Sequence, residues 1–370
     1  MVRCLMAWWV VVAHMLQMVG GVFWLPEPLF DALNRPGRAV NVFIVLSGFV
    51  ITHLRLANPE PYPAYILRRG FRVYPIYLVC LALALAVSPL LPAAQVTPWS
   101  DGAGDLARWQ EQWDNFGAHM LLHLTLLHGT VPETVLPYAS GTFLAPAWSL
   151  SLEWQFYLLA PVLIGGLLMR GARGWIGWLA LAALMALNLQ ARQAWGAEYG
   201  HPSALPLALN FFLLGILSRE LLQDIAEGRL PLRPLVGLGV LIFGGLVPKL
   251  EVLIWALCGL AILGDVGLGG RLGAGYRALR GRADWMVGLG KISYSTYLVH
   301  SPVLILMVGA TRLWISPSMM AAAFAGVLAL PIVLWLSKLC YRHIETPGIA
   351  LGRAAAARLL PPRGTPGEGG

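Results

Sequence analysis

The sequence predicts an all-α integral membrane protein of about ten transmembrane helices with both termini in the cytoplasm. Three observations carry that prediction. First, 58% of the residues are hydrophobic and only 12% are charged, with a mean hydropathy of +0.67; an ordinary soluble domain carries about 25% charged residues. Second, the apolar residues come in continuous blocks, many near the roughly 20 residues a helix needs to span hydrocarbon. Spans must be helices or a closed barrel, because lipid satisfies no backbone polar group. The blocks are rich in Leu, Ala, Val and Gly and lack the alternation of barrel strands. Third, the basic residues fall unevenly between alternate loops.

The blocks are residues 5–24, 38–56, 74–92, 146–169, 174–190, 204–218, 233–248, 249–264, 286–310 and 319–339. The first begins after Arg3 and is interrupted by His14 and Gln17, with no small-x-small cleavage site before Pro26, so it reads as a membrane helix rather than a signal peptide. With the N-terminus inside, the outward loops hold Arg35, Arg38, Arg108, Arg192, Lys249 and Arg312, 6 of the 26 basic residues. The inward set includes Arg68, Arg69, Arg72, Arg170, Arg173, Arg219, Arg229, Arg233, Arg271, Arg277, Arg280 and Arg282. That asymmetry orients the helices and accounts for the net charge of +8 without nucleic acid as a partner. The longest outward segment, 93–145, is polar at first (Trp99, Asp101, Asp105, Trp109, Glu111, Asp114). Then Phe116 to Leu127 is apolar but too short to span, as expected of a helix on the outer face. The boundaries are 1–345 for the membrane domain and 346–370 for a disordered cytoplasmic tail.

Ionisable groups inside spans are expensive and so are functional candidates. Arg3 and His14 are eleven residues apart. At 100° per residue they face one side of the first helix, about 17 Å apart along it. Arg3 lies at the cytoplasmic interface. His14 lies near mid-membrane, as the side chain best suited to take a proton near neutral pH. Asn41 to Phe49 opens the second helix and contains Ser47-Gly48, where small residues permit close packing. Arg68, Arg69 and Arg72 stand just before the third helix; three guanidinium groups at one point suit phosphates, or equally anchor the helix. Ser149, Glu153 and Tyr157 form an i, i+4, i+8 stripe on the fourth helix, where Glu153 could orient an imidazole or accept a proton. Ser293, Tyr297 and His300 share a face of the ninth helix, lining a cavity or knitting helices together. Glu345 follows the tenth.

His119, His123 and His128 have a metal-like spacing, but the HExxH arrangement is absent and no metal site is expected. Cys4, Cys80, Cys258 and Cys340 are scattered, with no CxxC spacing, and read as small buried hydrophobes.

Taken in order, these segments resemble the acyltransferase-3 family of membrane O-acyltransferases. The resemblance rests on Arg3 and His14, Val42 to Phe49, Arg69 and Arg72 followed by Tyr74-Pro75, Trp148 to Glu153 with Gln155-Phe156-Tyr157, Ile292 to His300, and Ile344 to Pro347. Asn41 stands where the family often has an acidic residue, and Trp154 where a second Glu is common. The resemblance implies ten core helices in the cell membrane, a bacterial inner membrane. It also implies acyl transfer, chiefly acetyl, from cytoplasmic acyl-CoA to a hydroxyl of a carbohydrate or lipid-linked sugar, with no permanently bound cofactor. His14 and Glu153 would then be catalytic, and Arg3, Arg68, Arg69 and Arg72 would bind the donor. Ser47, Ser149, Tyr157, Tyr297 and His300 would line the substrate cavity. The rival readings are a transporter or flippase without covalent chemistry, and a membrane-bound O-acyltransferase of the other fold, which the motif order opposes.

Overall fold

The computed structural model describes residues 1–100, 102–169, 171–229, 233–267, 281 and 284–359. Among them every regular element is helical. Each apolar block becomes helix: α1 (Val2–Met18), α3 (Pro36–Ala57), α4 (Tyr62–Val87), α8 (Trp148–Leu167), α9 (Gly174–Ala194), α10 (Leu205–Ala226), α11 (Pro234–Gly245), α12 (Lys249–Gly267), α14 (Ser293–Trp314) and α15 (Met319–Cys340). Shorter helices join them: α2 (Glu27–Leu33), α5 (Leu91–Gln95), α6 (Ala103–Asp114), α7 (Phe116–Leu124), α13 (Asp284–Lys291) and α16 (Thr346–Ala357). Among the described residues seven helical stretches are long and apolar enough to cross a membrane, while α1 and α11 are apolar but shorter. Of these stretches α10 and α14 are the most enclosed, 78% and 67% buried, so they form the centre of the bundle. The outer helices expose large apolar side chains such as Trp175, Leu241, Phe324 and Trp335, as a lipid-facing surface requires.

Close approach at the centre depends on two glycines. A Cβ on Gly48 would run into the Phe212 carbonyl, and one on Gly215 into the Val45 carbonyl. Their absence lets α3 and α10 pack backbone to backbone, the usual role of small residues in membrane helices.

Three expectations are corrected. The arginines Arg68, Arg69 and Arg72 lie within α4, not before it: Pro61 caps the helix, Pro63 suits its first turn, and the helix runs on through Pro75. The ninth block is broken at Ile292, which separates α13 from α14. The tail expected to be disordered from residue 346 begins as α16. That helix follows α15 through a π-helical turn, Tyr341–Glu345, and lies against α4. Gly348 and Gly352, at i and i+4, seat it on Pro75 and Phe71. Asp101, Arg170, Arg271, Arg277, Arg280, Arg282 and the tail from 360 fall outside the described residues.

Candidate functional site

Two cavities reach toward the middle of the bundle from opposite ends without sharing a lining residue. The wall of the first includes Arg3, Arg69 and Arg72, with Ser47, Ser149, Glu153, Tyr157, Ser293, Tyr294 and Tyr297. Three guanidinium groups face one carboxylate there, so the wall carries a positive excess suited to an anionic ligand. Arg3 and Arg69 have no carboxylate partner among the described residues. Arg69 instead lies over the rings of Tyr65 and Tyr157, 5.8 and 5.9 Å from their centroids. Arg72 pairs with Glu345, which the π-helical turn points inward, and Ser295 Oγ donates to the same carboxylate at 2.7 Å. The widened turn thus has a visible use, since Glu345 is 1% exposed and fixes Arg72 at the cavity wall.

Arg68 does not line this cavity. It points away and pairs with Glu60, a correction to the reading of all three arginines as one cluster. Helical phase alone does not make the split, since Arg68 lies about 40° from Arg72 on one side and Arg69 about 60° on the other; the Glu60 carboxylate is what draws Arg68 away from the cavity.

Glu153 accepts hydrogen bonds from Ser47 Oγ at 2.7 Å and from the Tyr157 hydroxyl. Ser149 takes a different route from the rest of its stripe and bonds the Tyr297 hydroxyl at 2.8 Å. Tyr297 also donates to the Pro146 carbonyl at 2.9 Å.

The second cavity is lined by His14, Gln17, Gln95, Ser100, Asp105, Arg108, Pro146, His201 and Ser301, among others. Its wall comes largely from the segment 93–145 and the loop before α10, so it opens at the end of the bundle opposite Arg3. Arg108 donates to Asp105 at 2.7 Å and to Gln95 Oε1 at 3.1 Å. His201 stacks on Trp148 and is held by Ser140; burial, and after it Arg108, pushes its pKa down to about 4.

His14 is the point where the two cavities approach. Tyr297 and Ser149 face the first and Pro146 and His14 the second, so one layer of side chains separates them. The imidazole of His14 meets His300: Nδ1 of His14 lies 2.9 Å from Nε2 of His300. Two expectations change here. His300 is fully buried behind Tyr297 and touches neither cavity, and the group that holds the His14 ring is His300, not Glu153. Asn41, noted for lacking a carboxylate, donates to the buried Glu251 of α12 at 3.1 Å. Glu251, Asp105, Arg108 and His201 carried no local signal in the sequence. Arg108 stood out only as an outward basic residue.

The three histidines with metal-like spacing form a hydrogen-bonded knot outside the spans. His123 bonds Tyr77 and Thr142, His119 bonds Thr142, His128 bonds the Ala147 carbonyl, and the rings of His123 and His128 stack at 4.0 Å.

Comparison with known proteins agrees with this picture. Residues 1–338 match the family model described as an acyltransferase domain, Acyl_transf_3, and the chain belongs to that acyltransferase-3 family. It is 30% identical over 129 residues to acyltransferase MdmB of Streptomyces mycarofaciens, a match covering 34% of this chain and 27% of that relative. The chain thus aligns with about a quarter of that protein's length. No solved structure matches. Membership in that family favours an acyl-transferring enzyme over a transporter without covalent chemistry.

Proposed function

We propose that the protein moves an acyl group, chiefly acetyl, from cytoplasmic acyl-CoA to a hydroxyl of a carbohydrate or lipid-linked sugar, in the cell membrane of a bacterium. The observation that carries this reading is His14 standing one side-chain layer from an arginine-lined cavity, on the wall of a second, polar one. With ten crossings both termini lie in the cytoplasm, and Arg3, Arg69 and Arg72 lie on the side where acyl-CoA is made. Their guanidinium groups take the donor's phosphates. The pantetheine arm then runs toward Ser149 and Tyr297 and presents its thioester to His14. The second cavity opens outward and admits the acceptor. Its mixture of amides, hydroxyls and a neutralised Asp105–Arg108 pair suits a polyhydroxylated ligand.

Two routes start from the same imidazole. In one, His14 takes the proton of the acceptor hydroxyl while its oxygen attacks the thioester carbonyl carbon. The C–O bond forms, the C–S bond breaks, and the thiolate leaves with the proton from His14. In the other, a His14 ring nitrogen attacks the thioester carbonyl carbon: the C–N bond forms, the C–S bond breaks and the thiolate leaves; the acceptor oxygen then forms its C–O bond as the C–N bond breaks, and the hydroxyl proton passes to the thiolate, freeing the imidazole. Glu153 shapes the donor cavity through Ser47 and Tyr157.

The test is turnover by purified His14→Ala, with acyl-CoA binding measured alongside. A positioned base is worth about 10²–10⁴-fold in rate, and loss of a carrier should be more complete. Wild-type turnover would remove His14 from the mechanism. Inactivity with intact donor binding supports it, and an acyl group trapped on His14 by mass spectrometry selects the second route.

A further inference from the structure

The contact between His14 and His300 is between residues 286 positions apart, on α1 and α14. The ring planes lie 12° apart, with centroids separated by 5.2 Å. A face-to-face pair sits closer, as His123 and His128 do at 4.0 Å. A 2.9 Å N···N contact with a ring radius added at each end gives the longer value, so His14 and His300 meet edge to edge in nearly one plane. That is the geometry of a hydrogen bond, and between two neutral imidazoles it holds one proton.

Which ring owns that proton decides what His14 can do. If His300 donates, His14 accepts at Nδ1 and carries its own proton on Nε2, leaving no lone pair for base or nucleophile. If His14 donates, its Nε2 is bare. The surroundings of His300 favour the second arrangement. His300 is fully buried, and its Nδ1 has no hydrogen-bond partner. The polar groups that act on the ring without closing a hydrogen bond to Nδ1 are the backbone carbonyls of Thr296 and Tyr297, one turn back along α14. An N–H at Nδ1 is attracted to those oxygens, while a lone pair would be repelled. The Tyr297 hydroxyl is already committed to Pro146 and Ser149, so it offers His300 no competing donor.

We propose that His300 is a positioning residue for His14: it accepts the Nδ1 proton and so holds the tautomer whose Nε2 lone pair is available for reaction. The proposal rests on His14 being the reacting imidazole. It applies to both routes above, since each needs that lone pair, and a His14 that becomes imidazolium keeps its Nδ1–H bond to His300.

The experiment combines kinetics with ¹⁵N NMR of histidine-labelled protein, the His14 signals being identified by their loss in His14→Ala. The wild-type spectrum should show His14 protonated on Nδ1. His300→Leu removes the acceptor and should lower kcat by about 10²-fold with unchanged acyl-CoA affinity. His300→Gln places an amide oxygen near the former Nε2 and should recover at least a tenth of wild-type kcat. A wild-type spectrum with the His14 proton on Nε2 would overturn the proposal, as would wild-type kcat in His300→Leu. Equal loss of donor affinity in both His300 variants would do the same, reducing His300 to packing. Should His300→Leu fail to fold, or Gln fail to rescue, the wild-type spectrum alone decides. Tautomer and turnover are read separately. An active His14→Ala protein would therefore sink the catalytic reading of His14, while the Nδ1 proton in the wild-type spectrum still tests the role of His300 as its acceptor.

Discussion

Replacing Arg72 with Ala should destabilise the protein more than replacing Glu345, although the two form one ion pair. The Glu345 side chain is fully buried, whereas 26% of the Arg72 side chain is accessible at the cavity. Arg72→Ala therefore strands a carboxylate whose remaining partner is the Ser295 hydroxyl. Breaking a buried pair in this way costs about 3–5 kcal/mol. Glu345→Ala leaves a guanidinium that water in the cavity can reach and that still lies over the Tyr294 ring at 5.6 Å. Its cost is a lost charged hydrogen bond, about 1.5–3 kcal/mol. The double variant strands neither charge and should cost less than the sum of the singles by about 2 kcal/mol, within the usual range for residues in contact. Reversible unfolding of the four proteins in one detergent measures all three quantities. Additivity within about 0.5 kcal/mol, or equal cost for the two singles, would refute the asymmetry. The outcome also governs how an Arg72 variant is read in donor-binding assays, since a loss of affinity must be separated from a loss of structure.

Further expectations follow from the same geometry. Arg69→Ala should weaken acyl-CoA binding, with a deficit that shifts with salt, while Arg68→Ala should bind almost normally because Arg68 pairs with Glu60 outside the cavity; equal losses in titration calorimetry would refute the split. Gly215→Ala should push α3 from α10 and cost about 1–3 kcal/mol, with donor turnover falling as Ser47 leaves Glu153; an unchanged unfolding midpoint would count against it. The knot of buried histidines should make stability depend on pH. Burial lowers His119 and His123 and brings His128 down to about 4, so the unfolded chain binds more protons. Stability is then complete above about pH 6.5 and is lost as pH falls toward 4, by about 3 kcal/mol for His128 alone; a flat unfolding midpoint from about pH 7 to about pH 4.5 would contradict this.

Much of the architecture was legible because hydropathy is local. Every apolar block became helix, while the break at Ile292 follows Gly288, Gly290 and Lys291, a local stop signal hidden by the hydropathy of the block as a whole. Site residues were legible where helical phase alone decides. Arg3 and His14 do lie on one face of α1, and their axial separation is what assigns them to different cavities. Depth rather than phase explains the failure at His300. It lies about 20° around the helix from Ser293, which lines the first cavity, but about 10 Å further along α14, where it meets α1 instead. What the sequence could not reveal were pairings between distant segments: His14 with His300, Arg72 with Glu345, Ser47 with Glu153, and Asn41 with Glu251, separated by 286, 273, 106 and 210 positions. Each depends on which helices become neighbours, a property of the assembled bundle and of no single stretch.

The last of those pairs carries a prediction of its own. Asn41 occupies a position where resembling sequences often have an acid, and the carboxylate is present after all, on α12 as Glu251. Glu251 is 1% exposed, and Asn41 Nδ2 donates to its Oε1 at 3.1 Å. Asn41→Asp is nearly isosteric but replaces that donor with an acceptor. Two carboxyl groups at this distance cannot both ionise, so one must hold a proton or the helices must part. The single variant should therefore be destabilised by about 1–3 kcal/mol, the cost of losing one buried hydrogen bond and opposing two acceptors. Adding Glu251→Gln restores a donor opposite the new Asp and moves the charge from α12 to α3. If the site needs one carboxylate and one amide in contact, Asn41→Asp with Glu251→Gln should recover stability and turnover together. Glu251→Gln alone, which leaves two amides, should fold but lose the charge. A destabilised double variant, or an Asn41→Asp protein as stable as wild type, would show that the contact between α3 and α12 does not set the charge at this position.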